Sequence, residues 1–271
     1  MKQAKQALAM MVFAVTIGCT NQLLPATPPP ATAEVLPVYH TGDTSLFVAV
    51  VATSDYETDH DIFVEAHSDN HQNLLMQLDR YSIPFFISHH NPAGDNQVRW
   101  SAPLAQDGIA IIVNGNNPVA NLSIEQLRRI YRGFITNWSD LGGHDSEIEL
   151  YSRETGAGIR LEFERLVMGQ QRTSPNARVL SSSQLIIEQV VSNPDAIGYI
   201  PLSLLDGTVK PLAIETILPS LTTIADNNYA LRSTIYVISL QEPDTHVREF
   251  LIYIQNDGQN LLSGVYAPLP R

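Results

Sequence analysis

The chain predicts an α/β fold built on a mainly parallel sheet. Short runs rich in Val, Ile, Leu and Phe alternate with stretches of helical spacing, the pattern of strand–helix–strand units. One run, Ile83–Ser88 (Ile-Pro-Phe-Phe-Ile-Ser), is apolar almost throughout, as expected of a strand covered on both faces. Turn and cap residues, among them Thr41–Ser45 and His67–Asn70, stand between the strand runs and the helical ones.

From the start of the chain, Met1–Gly18 places Lys2 and Lys5 ahead of an uncharged apolar run, Ala7–Ile17. A basic start and so short an apolar run read as a secretory signal, not a membrane span. Thr16-Ile17-Gly18-Cys19 resembles a bacterial lipobox, in which the cysteine is lipidated. Cys19 is the only cysteine in the chain, so no internal disulfide is possible. A free cysteine in a cleaved or uncleaved signal is the alternative. Residues 19–34 carry Pro25, Pro28, Pro29 and Pro30 among Thr and Ala, and read as a semi-extended tether.

The folded part begins with a short strand, Val35–Tyr39. Thr41-Gly42-Asp43-Thr44-Ser45 leads into a helix over Leu46–Val51, with Asp43 suited to an N-cap. A second strand, Asp61–Ala66, is followed by His67–Asn70 as turn and cap. Leu74, Leu75 and Leu78 then mark one helix face, and Ile83–Ser88 is the third strand. Ile109–Val113 is another buried strand. Ser123 and Gln126 fit a capping box for a helix running through Leu127 and Ile130 to Gly133. Glu147–Tyr151 alternates as a strand, and Ile159, Phe163, Leu166 and Val167 give a helix stopped by Gly169. Ser181-Ser182-Ser183 caps a helix over Gln184–Val191, Ala196–Pro201 is a strand and Tyr229–Ser239 a long return strand. Val247, Phe250, Leu251 and Ile254 line a last helix, and Gly264–Leu269 closes the chain.

Ligands of such sheets collect at the carboxyl ends of the strands. Gly42–Ser45, His67–Asn70 and Ser88–His90 lie at such ends. So does Ser152-Arg153-Glu154-Thr155-Gly156-Ala157-Gly158, between a strand and a helix. A strand, a Gly-x-Gly turn and a helix N-terminus bring several unpaired N–H groups together, which suits a small oxyanion. The same pattern is also that of an ordinary strand-to-helix turn.

The chain holds 16 Lys+Arg against 28 Asp+Glu. With Lys2 and Lys5 in the leader, 14 basic residues face 28 acidic ones, a formal charge of −14. That argues against nucleic acid and against a polybasic membrane patch, but not against an anion held locally by N–H groups. No Gly-x-Ser-x-Gly elbow, Walker loop or His-Glu-x-x-His motif appears, so no catalytic residue is expected. His67, His71, His89 and His90 fall near the strand ends. No carboxylate or cysteine completes a metal spacing with them, and neither metal nor cofactor is expected. Trp138, Tyr151 and Tyr199 suit either a cleft lining or the core.

Several segments occur together in a fixed order: Asp107–Asn114, Asn117–Leu122, Ile135–Gly143, Ser152-Arg153-Glu154 with its two glycines, Asn193–Tyr199, and Gly258-Gln259 to Tyr266–Leu269. In this the chain resembles the phosphate-binding proteins of bacterial ABC transporters, in the type II periplasmic-binding-protein family. Residues 35–106 match in layout only. The resemblance implies two α/β lobes with a ligand cleft between them and two crossover strands, Ile109–Val113 outward and Leu231–Ser239 returning. Residues 35–113 with 230–271 would form one lobe and 114–229 the other.

It further implies phosphate or a similar oxyanion held by Gly42, Asp43, Thr44, Ser68, Ser88, Arg153, Gly156, Ala157 and Gly158, with lobe closure on binding. The partners implied are an ABC-transporter permease and the membrane, the latter through the Cys19 lipid alone; a monomer is expected. Two positions depart from the family loop, Ala157 where it carries serine and Ile159 where it carries threonine. They motivate a different expectation, a degenerate domain kept as a surface interaction or sensing module without a phosphate ligand.

Overall fold

The computed structural model describes residues 34–52, 62–92 and 100–269. The expected signal, Cys19, the tether up to Ala33, and Asp61 lie outside the described residues.

In chain order the elements are β1 (Glu34–Thr41), a 3-10 turn at Gly42–Thr44, α1 (Ser45–Ala52), β2 (Ile62–Asp69), α2 (His71–Asp79), β3 (Phe85–Ser88) and β4 (Trp100–Val113). There follow β5 (Asn121–Leu122), α3 (Ile124–Tyr131), β6 (Glu149–Arg153), α4 (Gly158–Phe163), β7 (Arg178–Leu180), α5 (Ser183–Ser192) and β8 (Ala196–Pro201). The last are β9 (Lys210–Pro211), β10 (Ala213–Ile214), α6 (Leu221–Ala225), β11 (Arg232–Ser239), α7 (Thr245–Gln255) and α8 (Gln259–Leu262).

The main sheet runs β2-β1-β3-β11-β4-β8-β6-β7, with β9 also on β4, and β10 pairs β5 separately. Its flanks are parallel, β2-β1-β3 on one side and β8-β6-β7 on the other. The middle is antiparallel, because β11 pairs both β3 and β4, and β4 pairs β8. The parallel expectation therefore describes the flanks alone.

Buried side chains gather in two main clusters. One surrounds Phe47, Phe85, Ala105, Ile235 and Phe250, and the other surrounds Ile109, Tyr131, Phe163, Tyr199 and Leu231. The chain passes between them after Ala105 in β4, after Leu231 on entering β11, and again from Tyr266 to Ala267 near its end.

Local chemistry explains most boundaries. Ser123 Oγ accepts the N–H of Gln126 at 3.1 Å, and Gln126 Oε1 accepts that of Ser123 at 2.8 Å, closing the expected capping box. β2 runs on through His67–Asp69, read as turn from the sequence, because it stays in register with β1 as far as Thr41 opposite Asp69. Asn70 is the cap instead, accepting the N–H of Gln72 at 3.0 Å. The helix after Gly158 loosens at Glu164–Met168 into a π turn, in which Gly169 N–H reaches Glu164 O at 2.7 Å. Gly169 ends it at φ 58°.

Candidate oxyanion site

β1, β2 and β3 run parallel, with Thr41 opposite Asp69 and His40 opposite Ile87, so their carboxyl ends share one edge. β6 ends at Arg153, and its loop lies against that edge. Tyr199 fixes the loop's approach. Its hydroxyl bonds Ser152 Oγ at 2.9 Å and accepts the N–H of Arg153 at 3.2 Å, while its ring stacks on Phe163 at 4.1 Å. Burial raises the Tyr199 pKa to about 12, so the phenol stays neutral. Trp138, Tyr151 and Tyr199 are all core residues.

The two loop glycines make the approach possible. Gly156 sits at φ 84°, and a Cβ there would fall 2.6 Å from Asn70 Oδ1 and 2.7 Å from Gln72 Oε1. A Cβ on Gly158 would meet Ser88 Oγ at 2.8 Å, with Asp43 Oδ2 and Thr41 Oγ1 each at 3.5 Å. Three oxygens from the β1 and β3 ends thus surround one backbone position of the β6 loop. Asn70 Nδ2 donates to Thr155 O at 3.3 Å, which brings in the β2 end.

At the centre is Asp43, 3% exposed. Its Oδ1 accepts from Arg153 Nη1 in a buried ion pair, and its Oδ2 accepts the N–H of Ile159 at 3.0 Å. That N–H belongs to the first turn of α4, where backbone donors have no partner within the helix. The residue in the capping position is Ala157, which has no side-chain acceptor. Asp43 supplies one from 116 residues away in sequence. It does not cap its own helix, which was one of its two sequence readings; the residue before its turn is Thr41.

Arg153 is itself fully engaged. It donates to Ser183 Oγ at 2.9 Å, to Ser181 O at 3.3 Å and to Glu154 at 2.9 and 3.0 Å. Burial works against the charge, but Asp43 and Glu154 outweigh it and hold the pKa above the usual arginine value.

The other expected contacts fall around this pair. Ser88 Oγ is buried, bonded to His71 Nδ1 at 2.8 Å and accepting the N–H of His90 at 3.1 Å. The hydroxyl of Thr44 donates to Thr41 O at 2.9 Å and so ties its own turn. Gly42 and Ser68 are exposed at the rim, with Ser68 Oγ 3.9 Å from where a Gly42 Cβ would stand. Gly156, Ala157 and Gly158 are buried in the loop, and the Ile159 side chain belongs to the core. Arg160 donates to Arg153 O at 2.7 Å and pairs with Glu164 at 2.8 Å.

Sequence reasoning placed Asn70 in the candidate loop His67–Asn70 but missed Ser183, Gln72 and Glu162 as neighbours of the candidate site. Ser181–Ser183 was visible as a cap, and Ser182 is the residue that caps α5, leaving Ser183 free for Arg153. Glu162 holds His90 Nδ1 at 2.7 Å and Arg165 at 2.7 Å. Burial raises its pKa, and those two hydrogen bonds more than reverse that, leaving it below the usual carboxylate value. His89 is wholly buried and bonds Asp107 at 3.1 Å, while its Nδ1 has no partner among the described residues. Among the described residues no group of three or more His, Cys, Asp or Glu is placed to hold a metal ion. None of their helices is long and apolar enough to cross a membrane.

Comparison with known proteins follows the same lines. A family model for a PBP superfamily domain matches residues 27–257. The phosphate-binding protein PstS of Bacillus subtilis is 28% identical over 152 residues, 55% of this chain and 50% of that protein. The chain thus spans about half the length of that relative. A solved ABC-type phosphate transport receptor from Vibrio cholerae matches at TM-score 0.72 and 28% identity, over 86% of this chain and all of that one. A protein of Clostridium perfringens solved with bound phosphate matches at TM-score 0.81 and 23% identity, over 88% of this chain and all of that one. The fold is that of the type II periplasmic binding proteins.

Proposed function

This chain belongs to the PBP superfamily, and on that premise we propose that it is the extracytoplasmic solute-binding protein of an ABC importer, taking phosphate or a similar small oxyanion. One observation carries the reading. The ends of β1, β2 and β3 converge on the loop that follows β6, and an anionic group, the Asp43 carboxylate, already accepts from Arg153 and from the Ile159 N–H. An anion seat of fixed donors is what ligand recognition without covalent chemistry requires, and charge-assisted bonds in a dry site are each worth roughly 1.5–3 kcal/mol. In this reading the protein is not an enzyme and has two lobes, 35–113 with 230–271 and 114–229, except that Ile109–Val113, Leu231 and Ala267 pack in the buried cluster of the second. The lobes close on the anion about β4 and β11, and the closed form docks on a permease. Lipidation of Cys19 tethers the monomer to the outer side of the cell membrane.

The alternative, a sensing or interaction module without a phosphate ligand, is not favoured by relatives named for phosphate binding. Calorimetric titration of the folded domain with phosphate, sulfate, molybdate and a phosphonate tests the proposal. One saturable site for at least one of these anions is expected. Absence of binding to all of them at millimolar concentration, in the natural chain and also after Asp43→Ser, overturns it.

A further inference from the structure

The seat holds an anion that belongs to the chain. Asp43 is bound as a free oxyanion would be, one oxygen to a guanidinium and the other to an N–H at the start of a helix. Two features of the sequence fit this occupancy. Ala157 leaves α4 without a side-chain acceptor, and Asp43 supplies it. Gly158 has no Cβ, and the space is closed by Ser88 Oγ, Asp43 Oδ2 and Thr41 Oγ1. The neighbourhood is also built for a negative charge beyond Arg153. His89 lies close enough for Asp43 to favour its protonated form, and its wholly buried Nδ1 has no partner among the described residues.

We propose that Asp43 is a tethered competitor for the oxyanion seat, and so the residue that sets the chain's affinity. This rests on the oxyanion reading of the same site. An entering anion must take Arg153 Nη1 and the Ile159 N–H from the carboxylate, which would otherwise lie beside it as a like charge. Until then, the Asp43–Arg153 pair holds the β1 and β6 loops together without ligand. The chain is therefore compact when empty, and binds more weakly than its donors alone would allow.

The test is phosphate titration of the natural chain, Asp43→Ser and Asp43→Asn, with circular dichroism to confirm folding and small-angle scattering of each without ligand. Asn keeps an acceptor for Ile159 without the charge, so it covers the case in which Ser fails to fold. Phosphate affinity in the variants is expected to rise about tenfold or more, the loss of one charged competitor. The ligand-free variants are expected to be larger than the natural chain and to shrink when phosphate is added. Equal affinity in all three overturns the competitor role and leaves the oxyanion reading standing. Weaker binding in the variants also overturns it, because Asp43 is then a ligand contact. No binding in any of the three overturns both.

Discussion

Asp43 and Asp107 are both buried carboxylates, 3% and 0% exposed, yet they are held in opposite ways. Asp107 sits in β4 just where the chain passes from one core to the other. Its acceptors are filled by the N–H groups of Gly108 at 2.8 Å and Ser203 at 3.1 Å, by Ser203 Oγ at 2.7 Å and by His89 at 3.1 Å. These are neutral donors plus one titratable ring, joining β4 to the loops after β3 and β8. Asp43 instead faces a permanent cation and a helix-start N–H, at the meeting of four loops. Burial alone does not distinguish the two carboxylates. The donor set does: Asp43 has a fixed positive charge and little local backbone support, and on the proposal made above that is the place another anion takes.

The sharpest way to break the comparison is Arg153→Ala. It leaves Asp43 buried without its cation, so unfolding in urea should show a loss of about 3–5 kcal/mol, and oxyanion binding should vanish. Adding Asp43→Asn to that variant should recover much of the stability but none of the binding, since the two residues are coupled. Asp107→Asn comes next. Its amide turns donors toward the Gly108 and Ser203 donors, so a loss of about 1–3 kcal/mol is expected. Phosphate affinity should stay close to that of the natural chain; a collapse would mean that Asp107 also serves the seat.

A smaller effect lies in the pH dependence. Burial lowers the His89 pKa, but the hydrogen bond to Asp107 and the charges of Asp107, Asp43 and Glu162 outweigh this and raise it above 6.5. The proton therefore contributes stability that is complete below pH 6.5 and is lost as pH rises through the folded-state value. His89→Gln should flatten that limb, whose slope is at most about 1.4 kcal/mol per pH unit for one proton. The acid limb should remain, because Glu162 is held below 4.5 and loses its contribution as pH falls through that lower value. Smallest is Ala157→Ser. Asp43 already serves the α4 start, so the gain should be a few tenths of a kcal/mol, rising to about 1 kcal/mol in the Asp43→Ala background, where no side chain at that position accepts the Ile159 N–H.

The sequence made the flanks of the sheet legible because their strands and helices alternate with clear caps, as at Ser123–Gln126. It hid the first half of β4. Trp100–Gly108 contains Pro103, Gln106, Asp107 and Gly108, and only pairing with β11 makes it a strand. The loop glycines and Arg153 pointed to the candidate site by residue type and spacing. What stayed hidden was the destination of Asp43, because a bond spanning 116 residues leaves no local pattern. Ser183 was hidden similarly, its neighbour Ser182 being the cap that the pattern predicts.

An oxyanion seated between Arg153 and the start of α4 would show directly in anomalous diffraction from crystals of the Asp43→Ser chain grown with arsenate. One peak within hydrogen-bond reach of Arg153 Nη1 and the Ile159 N–H is expected. A peak elsewhere, for instance in the cavity of about 370 Å³ lined by Thr136, Glu149 and Arg178, with none at the seat, would contradict it.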